Sequence, residues 1–355
     1  MSRLGHLIKT LDSNWSYFKF DFKKRLNLLD PLQILPYFGF GTADQVFLKG
    51  RVLEQKGITG TGEHDSLWQN LKRMYRRFES DEVPGAVVAV KFQGAYQQVR
   101  ADHEGFFETT LRPARQPGVD SLWHPAEMEL VQPRHPAQPQ PVVVTGQVLI
   151  PQARAQFGVI SDIDDTVVET AATNWLKMAR IVLFSNAYSR LPFEGVSQFY
   201  QALQAGKDGN HNPIFYVSSS PWNLYDLLVD FFQIHDIPLG PLLLQDYGFE
   251  PEQLLYTNHR EHKLKQIKRI LLTYSHLSFI LIGDSGQQDP EIYREVVHQY
   301  PGRIAAIYIR DVTLSRREQE IKVIAEGLGR HGVEMLLVKD TQPAFQHAAA
   351  RGFIN

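Results

Sequence analysis

The chain has 355 residues, 43% of them apolar, a net charge of -2 and no cysteine. That length suggests about two domains, each able to bury its own core, and the near-neutral charge gives no electrostatic case for binding nucleic acid. Without cysteine there are no disulfides, no thiolate zinc sites and no cysteine nucleophile.

The first residues lack the apolar core of a secretory leader, and no apolar run approaches the roughly 18 residues of a membrane span, so a soluble, cytoplasmic protein is expected. Residues 1–45 read as a helical or extended segment. In it Trp15, Tyr17, Phe18, Phe20 and Phe22 are interleaved with Lys19, Lys23, Lys24 and Arg25. Such a pattern suits either a membrane interface or docking of the aromatics on the protein's own core. Pro31, Pro36, Gly39 and Gly41 then break any helix.

Residues 46–152 read as a small, mostly-β, sandwich-like domain. Short runs rich in β-branched and aromatic residues (46–48, 85–92, 96–101, 106–111, 128–131, 142–150) are separated by turn formers. A helix is expected over 66–78, where Leu67, Trp68, Leu71, Met74, Tyr75 and Phe78 keep a helical period. Gly57, Gly60 and Gly62 precede it without the Lys-Ser/Thr pair of a nucleotide-binding loop. The Pro-rich stretch 132–141 suits a long hairpin loop.

From 153 to 355 strands alternate with helices, the rhythm of a parallel sheet with crossover helices. Strands are expected at 157–161, 214–218, 241–245, 279–283, 304–309 and 334–338. Helices are expected at about 194–206, 221–234, 261–273, 290–299, 314–328 and 343–350.

The chemistry concentrates where these strands end. The run Phe157 to Ile160 leads straight into Ser161-Asp162-Ile163-Asp164-Asp165-Thr166, which delivers carboxylates to a strand's carboxyl end. Two carboxylates that close need a counter-charge, and Mg²⁺ suits carboxylates combined with a substrate phosphate. A carboxylate can also attack phosphorus while a second one moves protons. The next strand ends in Ser218-Ser219-Ser220, either a phosphoryl cradle or an ordinary helix cap. Lys263 follows at the head of a helix, and then Ile282-Gly283-Asp284-Ser285-Gly286-Gln287-Gln288-Asp289 again brings carboxylates to a strand end. His259 and His262 suit helix-start packing better than a metal pair. Arg310 either reaches substrate or pairs with a neighbour such as Asp311.

In order and context, Asp162-x-Asp164-x-Thr166, Ser218, Lys263 and Gly283-Asp284-x4-Asp289 resemble the four motifs of the haloacid dehalogenase superfamily. The longer strings are similar to the actin-patch-associated phosphatidate phosphatase family and its bacterial relatives, over about residues 155–330. Leu28 to Ile34 and the β region resemble the N-terminal part of the bacterial members.

The resemblance implies a haloacid-dehalogenase-like Rossmannoid sheet without a large cap. Asp162 would be the nucleophile and Asp164 the general acid/base. Mg²⁺ would be held by Asp162, Asp284, the Asp164 carbonyl and Asp289. Ser218, with Ser219 as an alternative, and Lys263 would hold the phosphoryl group while Thr166 steadies the loop. The implied activity is a phosphatase acting on a lipid phosphate such as phosphatidate. A soluble phosphometabolite, a phosphoprotein or a non-catalytic scaffold remain alternatives. The apolar flap from Trp175 to Phe184 suits packing on the N-terminal domain first, with guidance of an acyl chain or contact with a membrane surface as the alternative. The sequence sets no oligomeric state.

Overall fold

The computed structural model describes residues 16–26, 28–55, 81–118, 121–164, 166–167, 193–209, 211–245, 259–313 and 315–355. The helix expected over 66–78, the glycines before it, Trp15 and the flap from Trp175 to Phe184 lie outside them. The chain forms two compact units, Met1–Ile150 and Pro151–Asn355.

The first unit holds β1 (Leu32–Pro36), β2 (Gly39–Gly41), β3 (Val46–Glu54), β4 (Val87–Phe92), β5 (Ala95–Arg100), β6 (Phe106–Leu111), β7 (Trp123–Gln132) and β8 (Val143–Leu149). All eight are hydrogen-bonded into one sheet, not two separately bonded ones, in the order β1-β3-β2-β8-β7-β4-β5 with β6 on the free side of β3. In β7, buried His124, Ala126, Met128 and Leu130 alternate with residues that face outward, the two-residue period of a half-buried strand. Leu32, Val46, Val52, Val88, Phe107, Met128 and Val148 meet in one cluster, so strands from both ends of the sheet order share a core.

β1 and β2 correct the expectation of a separate segment over 1–45, since both strands belong to the sheet of the β region. Of the aromatics before them, Phe20 enters that same core from a helix spanning 16–25. Lys23 bridges Glu54 at 2.9 Å and Asp81 at 2.6 Å. Tyr17, Phe18 and Phe22 stay exposed. The Pro-rich stretch joins β7 to β8, which pair antiparallel, as a hairpin requires.

The second unit is a six-stranded, all-parallel sheet: β9 (Gly158–Ser161), β10 (Ile214–Pro221), β11 (Leu242–Gln245), β12 (Phe279–Asp284), β13 (Ile304–Arg310) and β14 (Met335–Val338). Residues of β9 and β12 are buried throughout, as strands covered on both faces must be. Helices Val196–Ala205, Tyr225–Ile234, His259–Thr273, Asp289–Gln299, Ser315–Gly329 and Thr341–Ala350 supply the cover. Val196, Phe199, Tyr200 and Leu203 in the first show the one-sided burial of an amphipathic helix.

The order is β11-β10-β9-β12-β13-β14. From β9 the chain winds outward through β10 and β11, returns to the other side of β9 as β12, and winds outward again. Strand order therefore reverses between β9 and β12, and ligands of open α/β sheets bind at the carboxyl ends of the strands flanking such a reversal. Asp162 follows β9 and Asp284 closes β12. Among the described residues no helix is long and apolar enough to cross a membrane.

Candidate active site

At the reversal Asp162, Asp284 and Asp289 converge: one carboxylate oxygen from each lies within 4.8 Å of the others, and all three side chains are buried. They come from different elements. Asp162 follows the β9 strand, whose amide ladder continues through Asp162 N–H donating to the Ile282 carbonyl at 2.9 Å. Asp284 is fixed by its own loop, Oδ1 accepting from Gly286 N–H at 2.7 Å and Gln287 N–H at 2.8 Å. Asp289 opens the next helix and turns Oδ2 back to the Asp284 N–H at 3.2 Å.

Gly283 makes that approach sterically open. A Cβ there would lie 2.5 Å from Asp289 Oδ2 and 2.8 Å from the Asp289 Cβ, closer than real atoms approach. Gly283→Ala is expected to push Asp289 off Asp284 and to cost about 1–3 kcal/mol in a urea titration, the scale of overpacking in a filled site. An unchanged midpoint would mean that the site tolerates the methyl group.

Lys263 is the counter-charge. It is buried at the head of helix His259–Thr273, with Nζ 2.9 Å from Asp162 Oδ1 and 2.6 Å from Asp289 Oδ1. It also donates to Gln287 Oε1 at 3.1 Å. Burial by itself would pull the ammonium down, but the fields of Asp162, Asp289 and Asp284 outweigh it and hold Lys263 above its ordinary range. Asp162 is pushed well above the usual carboxylate range, by burial first and then by Asp289, Asp284 and Asp164 against the pull of Lys263.

One ammonium does not balance three carboxylates, and buried charge costs several kcal/mol per ion when left uncompensated. Asp162 Oδ2 is buried and accepts no hydrogen bond among the described residues. Oxygen donors carrying excess negative charge are what a hard divalent cation requires. The residues fit one.

Asp164 is turned elsewhere. Its Oδ2 accepts from Ser218 Oγ at 3.0 Å and Ser220 Oγ at 3.1 Å, while Ser218 Oγ accepts from Ser220 N–H at 2.9 Å. The sequence predicts a strand that ends at Ser218 and a helix from 221. Instead β10 runs on to Pro221, where it pairs with Gln245 after a register shift, and the helix starts at Tyr225 after a 3₁₀ turn. Ser218, Ser219 and Ser220 are therefore buried strand residues, not a helix cap. Thr166 is buried with them, its hydroxyl lacking a hydrogen-bond partner among the described residues.

Among the described residues Arg310 forms no ion pair with Asp311 or with the carboxylate cluster. It donates to Thr341 Oγ1 at 3.0 Å and lies 4.1 Å from the Phe193 ring centroid. His262 is lowered by burial and stands outside the carboxylate cluster.

One support, Tyr200, has no signal in the sequence. Tyr200 and Ser161 hydroxyls meet at 2.6 Å, and Ser161 Oγ donates at 2.6 Å to the carbonyl of Asp162. Since Ser161 spends its one proton on that carbonyl, Tyr200 is the donor to Ser161. A tyrosine on the buried stripe of a helix reads as core from sequence. Gln287 was legible only as part of the loop motif.

The segment carrying these residues has known counterparts. Over 154 residues the chain is 34% identical to phosphatidate phosphatase APP1 of Saccharomyces cerevisiae, a match covering 43% of this chain and 26% of that protein. Over 161 residues it is 29% identical to an uncharacterized protein of Schizosaccharomyces pombe, covering 45% and 26%. The matches thus span about a quarter of the length of either curated relative. A solved carbohydrate acetylesterase of Xanthomonas citri aligns with 84% of this chain and 65% of its own, but 10% identity and a TM-score of 0.26 carry no argument. Residues 157–311, which hold all the site residues described above, match the family model described as the catalytic domain of phosphatidate phosphatase APP1.

Proposed function

We propose that the chain is a Mg²⁺-dependent phosphoric monoester hydrolase of the haloacid dehalogenase type, acting on a lipid phosphate such as phosphatidate through an aspartyl-phosphate. The observation that carries this reading is the convergence of Asp162, Asp284, Asp289 and Lys263 at the sheet reversal, inside the segment similar to the APP1 catalytic domain.

Asp162, Asp284 and Asp289, with the carbonyl of Asp164, would hold the cation, which when bound neutralises phosphate and carboxylate charge. Asp162 attacks phosphorus and the ester oxygen departs. Asp164 protonates that oxygen, then removes a proton from the water that attacks the aspartyl-phosphate, regenerating Asp162 and releasing phosphate. Proton transfer of this kind contributes roughly 10²- to 10⁴-fold.

Ser218 and Lys263 hold the phosphoryl oxygens, with Ser219 and Thr166 beside them. When Ser218 turns to phosphate, Ser220 keeps its hydrogen bond to Asp164 Oδ2, so the acid/base group stays anchored. The domains of this reading are a β unit over Met1–Ile150, which includes the N-terminal strands, and the phosphatase unit over Pro151–Asn355. The protein would work in the cytoplasm, in contact with the membrane that carries its substrate.

A panel of phosphatidate, soluble phosphometabolites and a phosphopeptide, each with Mg²⁺ and with EDTA, tests this. Phosphate release from phosphatidate that EDTA abolishes is the expected result. Release from soluble phosphates alone would replace the lipid assignment, and release unaffected by EDTA would remove the metal.

A further inference from the structure

The loop carrying two of the carboxylates is held from outside by Arg317, on helix Ser315–Gly329, beyond the segment matched by the family model. Its Nε donates to the Ser285 carbonyl at 3.2 Å and its Nη2 to the Gln287 carbonyl at 3.2 Å. Nη1 and Nη2 also grip Glu291 Oε1 and Oε2 at 2.7 and 2.8 Å, and Nη1 reaches Glu320 at 3.0 Å. Glu291 stands in the first turn of the helix that Asp289 opens. One planar cation therefore ties together both ends of the turn between Asp284 and Asp289.

The peptide between Ser285 and Gly286 shows how that grip reaches the site. In a trans peptide the carbonyl and the N–H point in opposite directions. The Ser285 carbonyl is held outward by Arg317, so the Gly286 N–H is held inward, where it donates to Asp284 Oδ1 at 2.7 Å. The carboxylate is thereby oriented through a rigid unit whose far end is the guanidinium. Ser285 is braced independently: its hydroxyl accepts from Val312 N–H at 2.9 Å and lies 3.0 Å from Thr313 Oγ1. Arg317 is thus not what keeps the loop folded; it sets the tilt of one peptide.

We propose that Arg317 is a positioning residue for the cation site: it orients Asp284 through the 285–286 peptide and Asp289 through Glu291, and so tunes divalent-cation affinity without touching ion or substrate. Lysine cannot substitute, because a point ammonium lacks the flat fork that serves a carboxylate and two carbonyls at once. The inference rests on the metal reading above, and its test reads binding, not turnover.

Mg²⁺ is titrated by calorimetry into the metal-free full chain, with Mn²⁺ as a second probe. R317K is expected to weaken binding by 10- to 100-fold, the usual effect of losing a group that orients a metal ligand. E318Q, which removes an exposed ion pair of Lys322 on the same helix, is expected to bind like the wild type. Circular dichroism reports folding of each variant. A folded R317K with wild-type affinity overturns the inference, as does equal weakening in E318Q. If R317K does not fold, E291Q is measured instead, with the same two outcomes. A wild type that binds neither ion removes the metal reading itself, and the inference with it, whereas activity on no phosphate ester alongside normal binding leaves the inference standing.

Discussion

Asp162→Asn is expected to lower phosphatase activity at least about 10⁴-fold, the scale on which hydrolases respond to loss of their nucleophile, because a carboxamide oxygen cannot form and release the phosphoryl ester. The same change is expected to raise the melting temperature in EDTA at neutral pH. Asp162 is pushed well above the usual carboxylate range by burial and by its acidic neighbours, so the fold prefers it neutral. A group whose pKa is higher folded than unfolded supports stability below its unfolded pKa, near 4, and loses that support as pH rises through the folded value. Asparagine mimics the neutral form, so its advantage should be largest above that window and vanish toward pH 4. Saturating Mg²⁺ should stabilise the wild type and do little for the variant. Activity equal to wild type would remove Asp162 as nucleophile, and a lower melting temperature in EDTA would show that attraction to Lys263 outweighs the repulsion.

The contrast between Asp162 and Tyr200 shows what was legible in the sequence. Asp162, Ser218 and Asp284 each follow a strongly apolar run, so polar groups stand where packing alone would not put them; Lys263 only neighbours the stripe of Leu264, Ile267, Ile270 and Leu271, and chain order links it to the other three. The six strands of the second unit were readable for a related reason: fully buried parallel strands are continuous apolar runs, as in Phe279 to Ile282.

β1 and β2 were not readable, because Pro36, Gly39 and Gly41 signal a broken chain. Pro36 closes an edge strand, where a missing N–H is tolerated. The two glycines mark close approach: a Cβ at Gly41 would lie 2.2 Å from the Gln45 carbonyl oxygen, and one at Gly39 2.6 Å from that of Phe47. Ser220 and Arg317 act through hydrogen bonds to groups distant in sequence, which neither period nor motif encodes. The run of three serines hid its division of labour for the same reason. Only the strand's extension to Pro221 puts Ser218 and Ser220 on one face, two residues apart, both reaching Asp164.

Lys263→Met should separate what the ammonium does for the fold from what it does for the reaction. Methionine keeps the length and apolar stem of lysine but leaves Asp162 and Asp289 facing each other without a counter-charge. Breaking a buried pair by removing one partner costs about 3–5 kcal/mol, since the remaining charge stays buried. In EDTA the variant is therefore expected to unfold at much lower urea than the wild type. A divalent cation held by the same carboxylates offsets the charge that lysine no longer balances, so Mg²⁺ should recover much of the loss, and more of it than it adds to the wild type.

Activity should not recover in parallel. At Mg²⁺ concentrations that restore the fold, the cation occupies its own position and cannot take the place of a donor aimed at the phosphoryl oxygens. Removing one such preorganised donor costs about 10²- to 10³-fold in turnover. Urea midpoints and turnover measured across one Mg²⁺ titration decide the matter. If turnover returns in step with folding, Lys263 serves only the charge balance of the folded site; if the midpoint in EDTA is that of the wild type, Asp162 and Asp289 share a proton in the absence of metal and need no ammonium between them.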